Sequence, residues 1–384
     1  MLTAREKLAR REAAVGDHLP YAAQIDDHTI VTRDGLALQV IRLEGLPFET
    51  IDALTLEARK NARDAMLLSV ASSRFALVHH VVRRAVEPKF EGKFDDPFSQ
   101  SLDRAWQDRL ATRRLYVNDL YLTLVIRPLG GRAGIAEKML GLFGAGAGAR
   151  QQAGPDMRQL NQAREAILSA LEPYQPKLLS AYDLPKGLAS EPLEFLASLL
   201  NGVSLPQLLP TGDLGHAMAR RQISFGADAI EFGPMNGEPS EYAAILSIKD
   251  YPANTDAGML DDLYRLPFEM TVTQSFAMID RGPALERMDL ALRRMRSADD
   301  AAISLRSELV LAKDEVAAGR AAFGEHHLTV MIRANELSEL EVAIGEAQAT
   351  LSEAGFAAVR ENLGLEAAFW AQFPGNLVIL RDAR

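Results

Sequence analysis

The first half of the chain alternates between two apolar periods. Leu36–Leu43 (LALQVIRL) follows the turn pair Asp34–Gly35 and alternates apolar with polar near its end, which predicts a strand. Ile51–Val70 carries apolar residues at helical spacing, and Arg74–Val82 (RFALVHHVV) reads as the next strand. Phe98–Leu115 is a charged amphipathic helix. Tyr116–Ile126 (YVNDLYLTLVI) is a β-branched and aromatic run ended by Arg127–Pro128. A glycine-rich stretch at 141–154 follows, then a helical pattern over Pro155–Tyr182 that Pro173 and Pro176 must kink or end. The order is β–α–β–α–β–α, and the first 20 residues read as a short exposed helix or arm.

Residues 183–220 are rich in Pro and Leu and read as a connector with a short helix around Glu191–Asn201. A second α/β pattern starts near Arg221. Its predicted strands are Ile223–Phe225, Ala229–Phe232, Tyr242–Ile248, Phe268–Phe276, His327–Ile332 and Ala358–Arg360. Its predicted helices are Asp256–Leu263, Pro283–Arg296, Ala301–Ala318 and Leu337–Ala354. Acidic Glu336, Glu339 and Glu341 suit the positive N-terminal end of the last helix, and Gly355 suits its C-cap. Strands interleaved with long helices imply an α/β (α+β) fold: two sandwich subdomains, 1–182 and 221–384, with mixed or antiparallel sheets covered by helices.

Composition narrows the function classes. At 384 residues, 48% hydrophobic and 24% charged, the chain has enough apolar sequence for packed cores and is long enough for two domains. A net charge of −10 argues against a surface that is one large nucleic-acid footprint, and acidic neighbours surround most of the pairs Arg10–Arg11, Arg83–Arg84, Arg113–Arg114 and Arg293–Arg294. The absence of cysteine removes disulfides, thiolate zinc sites and thiol catalysis, and fits a reducing cytoplasm. The most apolar run, Met66–Val82, is interrupted by Arg74 and His79–His80, so no segment reads as a membrane span.

No catalytic constellation emerges from the residues. Gly144–Gly148 (GAGAG) lacks the lysine of a phosphate-binding loop, with Arg150 and Gln151 in its place, and reads as a flexible loop insertion. Adjacent histidines at His79–His80 and His326–His327 point to opposite faces of a strand and do not share a metal easily. No H-E-x-x-H or G-x-S-x-G is present. The paired acids Asp261–Asp262 and Asp299–Asp300 read as solvated helix caps. The chain is therefore expected to hold no cofactor and not to hydrolyse ATP alone.

Three runs carry a family resemblance. KDYPANTDAGMLDDLYRLPFEMTVTQSFAMID spans Lys249–Asp280, FGEHHLTVMI spans Phe323–Ile332, and RENLGLEAAFWAQFPGN spans Arg360–Asn376. In order and spacing they resemble the region before the motor of the CagE/TrbE/VirB family of type IV secretion and conjugation ATPases. DGLALQVIRLEGLPFET (Asp34–Thr50) and YVNDLYLTLVIRP (Tyr116–Pro128) resemble that family's N-terminal segments.

The resemblance implies a cytoplasmic ATPase at the inner membrane of a Gram-negative bacterium, acting as a dimer or hexamer and energising pilus assembly and transfer of DNA or protein. It implies that ATP and Mg²⁺ belong to a RecA-like motor that this chain stops short of. The N-terminal part docks on inner-membrane subunits, with peripheral membrane attachment through them; the acidic balance of the chain argues against direct nucleic-acid contact. Family-motif positions here are Asp256, Gly258, Leu266, Pro267, Phe268, His326, His327, Glu366, Trp370, Pro374, Gly375 and Asn376, with structural or interface roles. Leu365, Phe369 and Trp370 are expected to pack on a short helix, with Pro374–Asn376 as a turn. The rival readings are a stand-alone α/β enzyme or binding module with an unrecognised site, and a nucleic-acid-binding module.

Overall fold

The computed structural model describes residues 14–46, 51–87, 92–111, 114–128, 156–235, 237, 239–297 and 303–376. The glycine-rich loop at 141–154 and most of the N-terminal arm lie outside the described residues. Among the described residues, twelve strands join in one sheet in which every ladder is antiparallel.

The first half contributes β1 (Tyr21–Gln24), β2 (Thr29–Thr32), β3 (Ala37–Leu43), β4 (Phe75–Val86), β5 (Leu115–Ile126) and β6 (Pro176–Leu178). Its helices are α1 (Val15–His18), α2 (Ala53–Ser69), α3 (Pro97–Ala111) and α4 (Met157–Ala170). A separate hairpin, β7 (Ala181–Leu184) and β8 (Gly187–Ser190), leads into α5 (Glu191–Asn201) and α6 (Leu214–Met218). The second half contributes β9 (Ile223–Phe225), β10 (Ile230–Phe232), β11 (Glu241–Asp250), β12 (Glu269–Ile279), β13 (Phe323–Ala334) and β14 (Ala357–Arg360). Its helices are α7 (Arg281–Ser297), α8 (Ile303–Ala318), α9 (Leu337–Glu353) and α10 (Leu365–Ala371).

The strand order is β1-β2-β3-β5-β4-β12-β13-β11-β10-β9, with β6 also on β3 and β14 also on β11. Read outward from the β4–β12 ladder, the two halves match strand for strand: β4 with β12, β5 with β13, β3 with β11, β2 with β10, β1 with β9, and β6 with β14. The central ladder is antiparallel and pairs His80 with Thr273. Two like strands paired antiparallel relate their half-sheets as a two-fold axis through the ladder would. The chain is thus a topological duplication in one sheet, although no residue repeat is visible in the sequence.

The pleat sorts residues between two faces. On one face, Leu38, Val40, Ala76 and Val78 of the first half and Ile245 and Met331 of the second share a core with α5, α6 and α10. On the other, α2 and α4 cover β3–β5, and Leu340, Ile344, Ala347 and Leu351 of α9 cover β11–β13. The shared core is therefore the one built on both halves.

Local chemistry explains α5. The Ser190 side chain accepts the Leu193 amide at the N-cap, Pro192 sits in the first turn, and Gly202 ends the helix with a left-handed φ of 81°. Its Leu193, Phe195, Leu196, Leu199 and Leu200 are all buried, each worth about 1.5–3 kcal/mol of transfer free energy.

Two predicted helices are corrected. Asp256–Leu263 forms turns followed by a short 3-10 segment at Leu263–Arg265; Gly258 sits at φ 86°, outside helical space. The pattern over Pro155–Tyr182 forms a helix only to Ala170. Pro173 falls in a 3-10 turn that ends at a left-handed Gln175, and Tyr182 lies in β7.

Candidate functional site

The sheet ends and the last described helix meet at Trp370. β14 delivers the chain to α10, whose Leu365, Ala368, Phe369 and Trp370 are buried. His18, just ahead of β1, stacks flat on the Trp370 indole, with centroids 4.7 Å apart and planes 8° from parallel. Phe225 of β9 approaches Trp370 from the opposite sheet edge at 6.1 Å and packs edge-on to Phe369 at 5.6 Å. Both edges of a ten-strand path therefore converge on one short helix, which requires the sheet to wrap around it.

Hydrogen bonds fix the segment after α10. Asn376 Nδ2 donates to the Trp370 carbonyl at 2.9 Å and to the His18 carbonyl at 3.2 Å. Gly375 adopts φ 100°, and a side chain there would meet Thr32 Cγ2 at 3.2 Å. In the middle of the sheet, His80 shares a hydrogen bond of 2.9 Å between its Nε2 and the Gln372 carbonyl, and Phe195 of α5 lies edge-on to it. Burial holds His80 neutral, with its pKa lowered to about 3. The His79 ring lies on the opposite face, and burial lowers its pKa to about 4.

A buried charge cluster ties α5 to the second half. Arg333 of β13 donates to the Leu199 carbonyl at 3.0 Å, near the negative C-terminal end of α5, and lies over the Phe232 ring at 4.1 Å. Glu241 pairs with Arg333 at 3.3 Å and with Arg221 at 2.9 Å. Two buried guanidiniums thus share one carboxylate, and burial lowers the Arg333 pKa. A cleft of about 470 Å³ opens beside this cluster beneath the first turns of α9, with Pro267 and Phe268 in its wall.

The twelve motif positions divide among these places. Trp370, Pro374, Gly375 and Asn376 are buried together at the α10 junction. Leu266 and Pro267 are latched from the first half: Arg83 Nε donates to the Leu266 carbonyl at 2.7 Å, and the Tyr116 hydroxyl donates to the Pro267 carbonyl at 2.7 Å. Phe268 follows them at the cleft. Asp256, Gly258 and Glu366 are exposed. His326 is exposed beside the Tyr251 and Phe276 rings, with its pKa lowered by partial desolvation, and His327 is half-buried on the same strand. Sequence reasoning did not find His18, Arg221, Glu241 or Arg333, because nothing in local spacing marks a partner that lies across the fold. Among the described residues, no helix is long and apolar enough to cross a membrane, and no group of three His, Asp or Glu is placed to hold a metal.

Comparison with known proteins agrees with this architecture in extent. The CagE, TrbE, VirB family, component of type IV transporter system, matches residues 177–381. The N-terminal domain of the type IV secretion system ATPase VirB4/TrbE matches residues 28–133. The type IV secretion system protein virB4 of Bartonella henselae is 32% identical over 96% of this chain and 47% of its own length. Protein virB4 of Agrobacterium fabrum is 30% identical over 94% of this chain and 45% of its own. A type IV secretion system protein PtlC homolog of Bordetella bronchiseptica is 27% identical over 97% of this chain and 45% of its own. The chain spans about half the length of the curated relatives it matches.

Proposed function

Because the chain belongs to the CagE, TrbE, VirB family of type IV transporter components, we propose that it is the docking and positioning body of a type IV secretion ATPase. In this reading it binds inner-membrane subunits of the secretion complex and neighbouring copies of itself. It holds a motor that supplies ATP hydrolysis, with ATP and Mg²⁺, for pilus assembly and transfer of DNA or protein. The body itself has no part in the hydrolysis and does not bind nucleic acid. It works at the cytoplasmic side of the inner membrane, attached through its partners.

The observation that carries this reading is the burial of the Trp370–Asn376 segment between the two sheet edges. A helix clamped from both edges transmits force and orientation with little slack. Such clamping suits a mount better than a substrate pocket. The test is a binding measurement with the purified inner-membrane subunits of the same secretion system, alongside an ATPase assay on this chain. Saturable binding with no turnover above blank supports the reading. Turnover by this chain, or no binding to any of those subunits, overturns it.

A further inference from the structure

The sheet face opposite α10 is covered by separate groups of helices, and the covers do not meet. Helices α2 and α4 lie over β3–β5, and α9 lies over β11–β13. The α7–α8 hairpin packs on a small core of its own, Ala284, Met288 and Val316. Between these covers, over the β4–β12 ladder that joins the halves, lies a cleft of about 710 Å³. That volume falls in the range of small-molecule sites, roughly 300–1,000 Å³. Its walls are mostly apolar, with Leu43, Leu77, Leu122 and Met278 from the sheet and Met66 and Leu67 from α2. Gly324 helps keep it open. A Cβ there would clash with the Phe276 ring, which lies across onto Gly324 beside the cleft.

The polar groups of the cleft say what it takes. His79 and Gln274 are cross-strand partners and both line it. His79 is neutral, its pKa lowered to about 4 by burial, and Gln274 is already hydrogen-bonded to Tyr264. The sheet side of the cleft therefore carries no charge near pH 7. Charge stands on exposed residues at its margin: Arg63 of α2, and Arg320 just after α8. Arg63 has only its chain neighbour Asp64 as an ion-pair partner, at 3.5 Å with both side chains about half exposed, a pairing of little energy. Arg320 gives Nε and Nη2 to the two oxygens of Glu315, at 2.7 Å each. Its Nη1 is free for a further acceptor. A cation would meet two guanidiniums against the single carboxylate of Asp64 in this lining, and a plain hydrocarbon would leave them unused. A hydrocarbon body with one anionic end fits both the walls and the margin.

We propose that the cleft over the β4–β12 ladder binds a single-chain aliphatic carboxylate. The chain lies along Leu43, Leu77, Leu122 and Met278, and the carboxylate accepts from Arg63 with Arg320 as a second donor. This site is independent of the docking role proposed above. Its walls come from both halves of the sheet, so a bound chain also ties the halves together.

The test is isothermal titration calorimetry of the whole chain with dodecanoate, kept below its micelle concentration. Saturable one-to-one binding is expected. Octanoate should bind at least tenfold more weakly, since each CH₂ lost from an apolar site costs about fourfold in affinity. Dodecyltrimethylammonium, with the same chain and a cationic end, should also bind at least tenfold more weakly. Ala322→Trp adds bulk to the lining of the cleft and should abolish binding. Arg63→Glu should weaken dodecanoate at least tenfold. Both variants should keep an unchanged circular dichroism spectrum. Trp106→Ala, on the exposed apolar side of α3, should leave binding as it is. Failure of dodecanoate to saturate overturns the proposal. So does binding that survives both Ala322→Trp and Arg63→Glu, or binding that Trp106→Ala abolishes. Equal affinity for the cationic amphiphile overturns the part given to the guanidiniums. Binding to phosphatidylglycerol vesicles with none to free dodecanoate overturns the site as proposed and makes a membrane surface the ligand.

Discussion

Trp370 and His18 lie face to face, ring centroids 4.7 Å apart, and so join the last described helix to the segment that enters the first strand. Trp370 is 3% exposed and touches both edges of the sheet. Trp370→Ala should cost about 3–5 kcal/mol in urea unfolding, and Trp370→Phe distinctly less. The chain's other tryptophan, Trp106, is exposed, so acrylamide should quench one tryptophan and spare the other. Equal quenching of both would place Trp370 outside the core.

Glu241 neutralises part of a buried cluster in which Arg221 and Arg333 side chains are 1% and 9% exposed. Glu241→Gln should therefore destabilise by about 3–5 kcal/mol, since it leaves buried guanidinium charge without its carboxylate. Adding Arg333→Met should recover part of that loss. A single-variant effect under 1 kcal/mol would show that water reaches the cluster.

Gly375 holds a left-handed φ of 100° with Thr32 Cγ2 and Pro20 Cγ close to where a Cβ would stand. Gly375→Ala should cost about 1–3 kcal/mol from backbone strain alone, read as a drop in Tm. An unchanged Tm would mean that the turn relaxes freely.

Burial lowers the pKa of His79 to about 4 and of His80 to about 3, from an ordinary 6.5. Both are neutral in the folded chain, while the unfolded chain takes up protons below pH 6.5. The stability they protect is complete above that pH and declines as pH falls from 6.5 toward 4. The slope is at most about 1.4 kcal/mol per pH unit for each histidine. His80→Gln should reduce the slope in that window by about half. An identical slope in the variant would show that His80 is not held neutral.

The sequence makes the individual strands legible because each writes its own local period. A short helix around Glu191–Asn201 is legible, and in the fold Ser190, Pro192 and Gly202 set its ends. The joint between the halves does not emerge that way. The β4–β12 ladder pairs Val81 with Val272 and His80 with Thr273, and no spacing rule encodes which distant strand a buried strand selects. The same limit hides the α10 site: the apolar residues of Leu365–Trp370 announce packing, but His18 and Phe225 become its neighbours only once the sheet curves. The false helix at Asp256–Leu263 has the opposite cause, an acidic start and apolar spacing that Gly258 overrides with its positive φ.

The docking account is tested most directly by fractionating cells that express this chain with or without the other genes of its secretion system. The account predicts that the chain sediments with the inner membrane only when those genes are present, and is otherwise in the soluble fraction. The same distribution in both strains would contradict it.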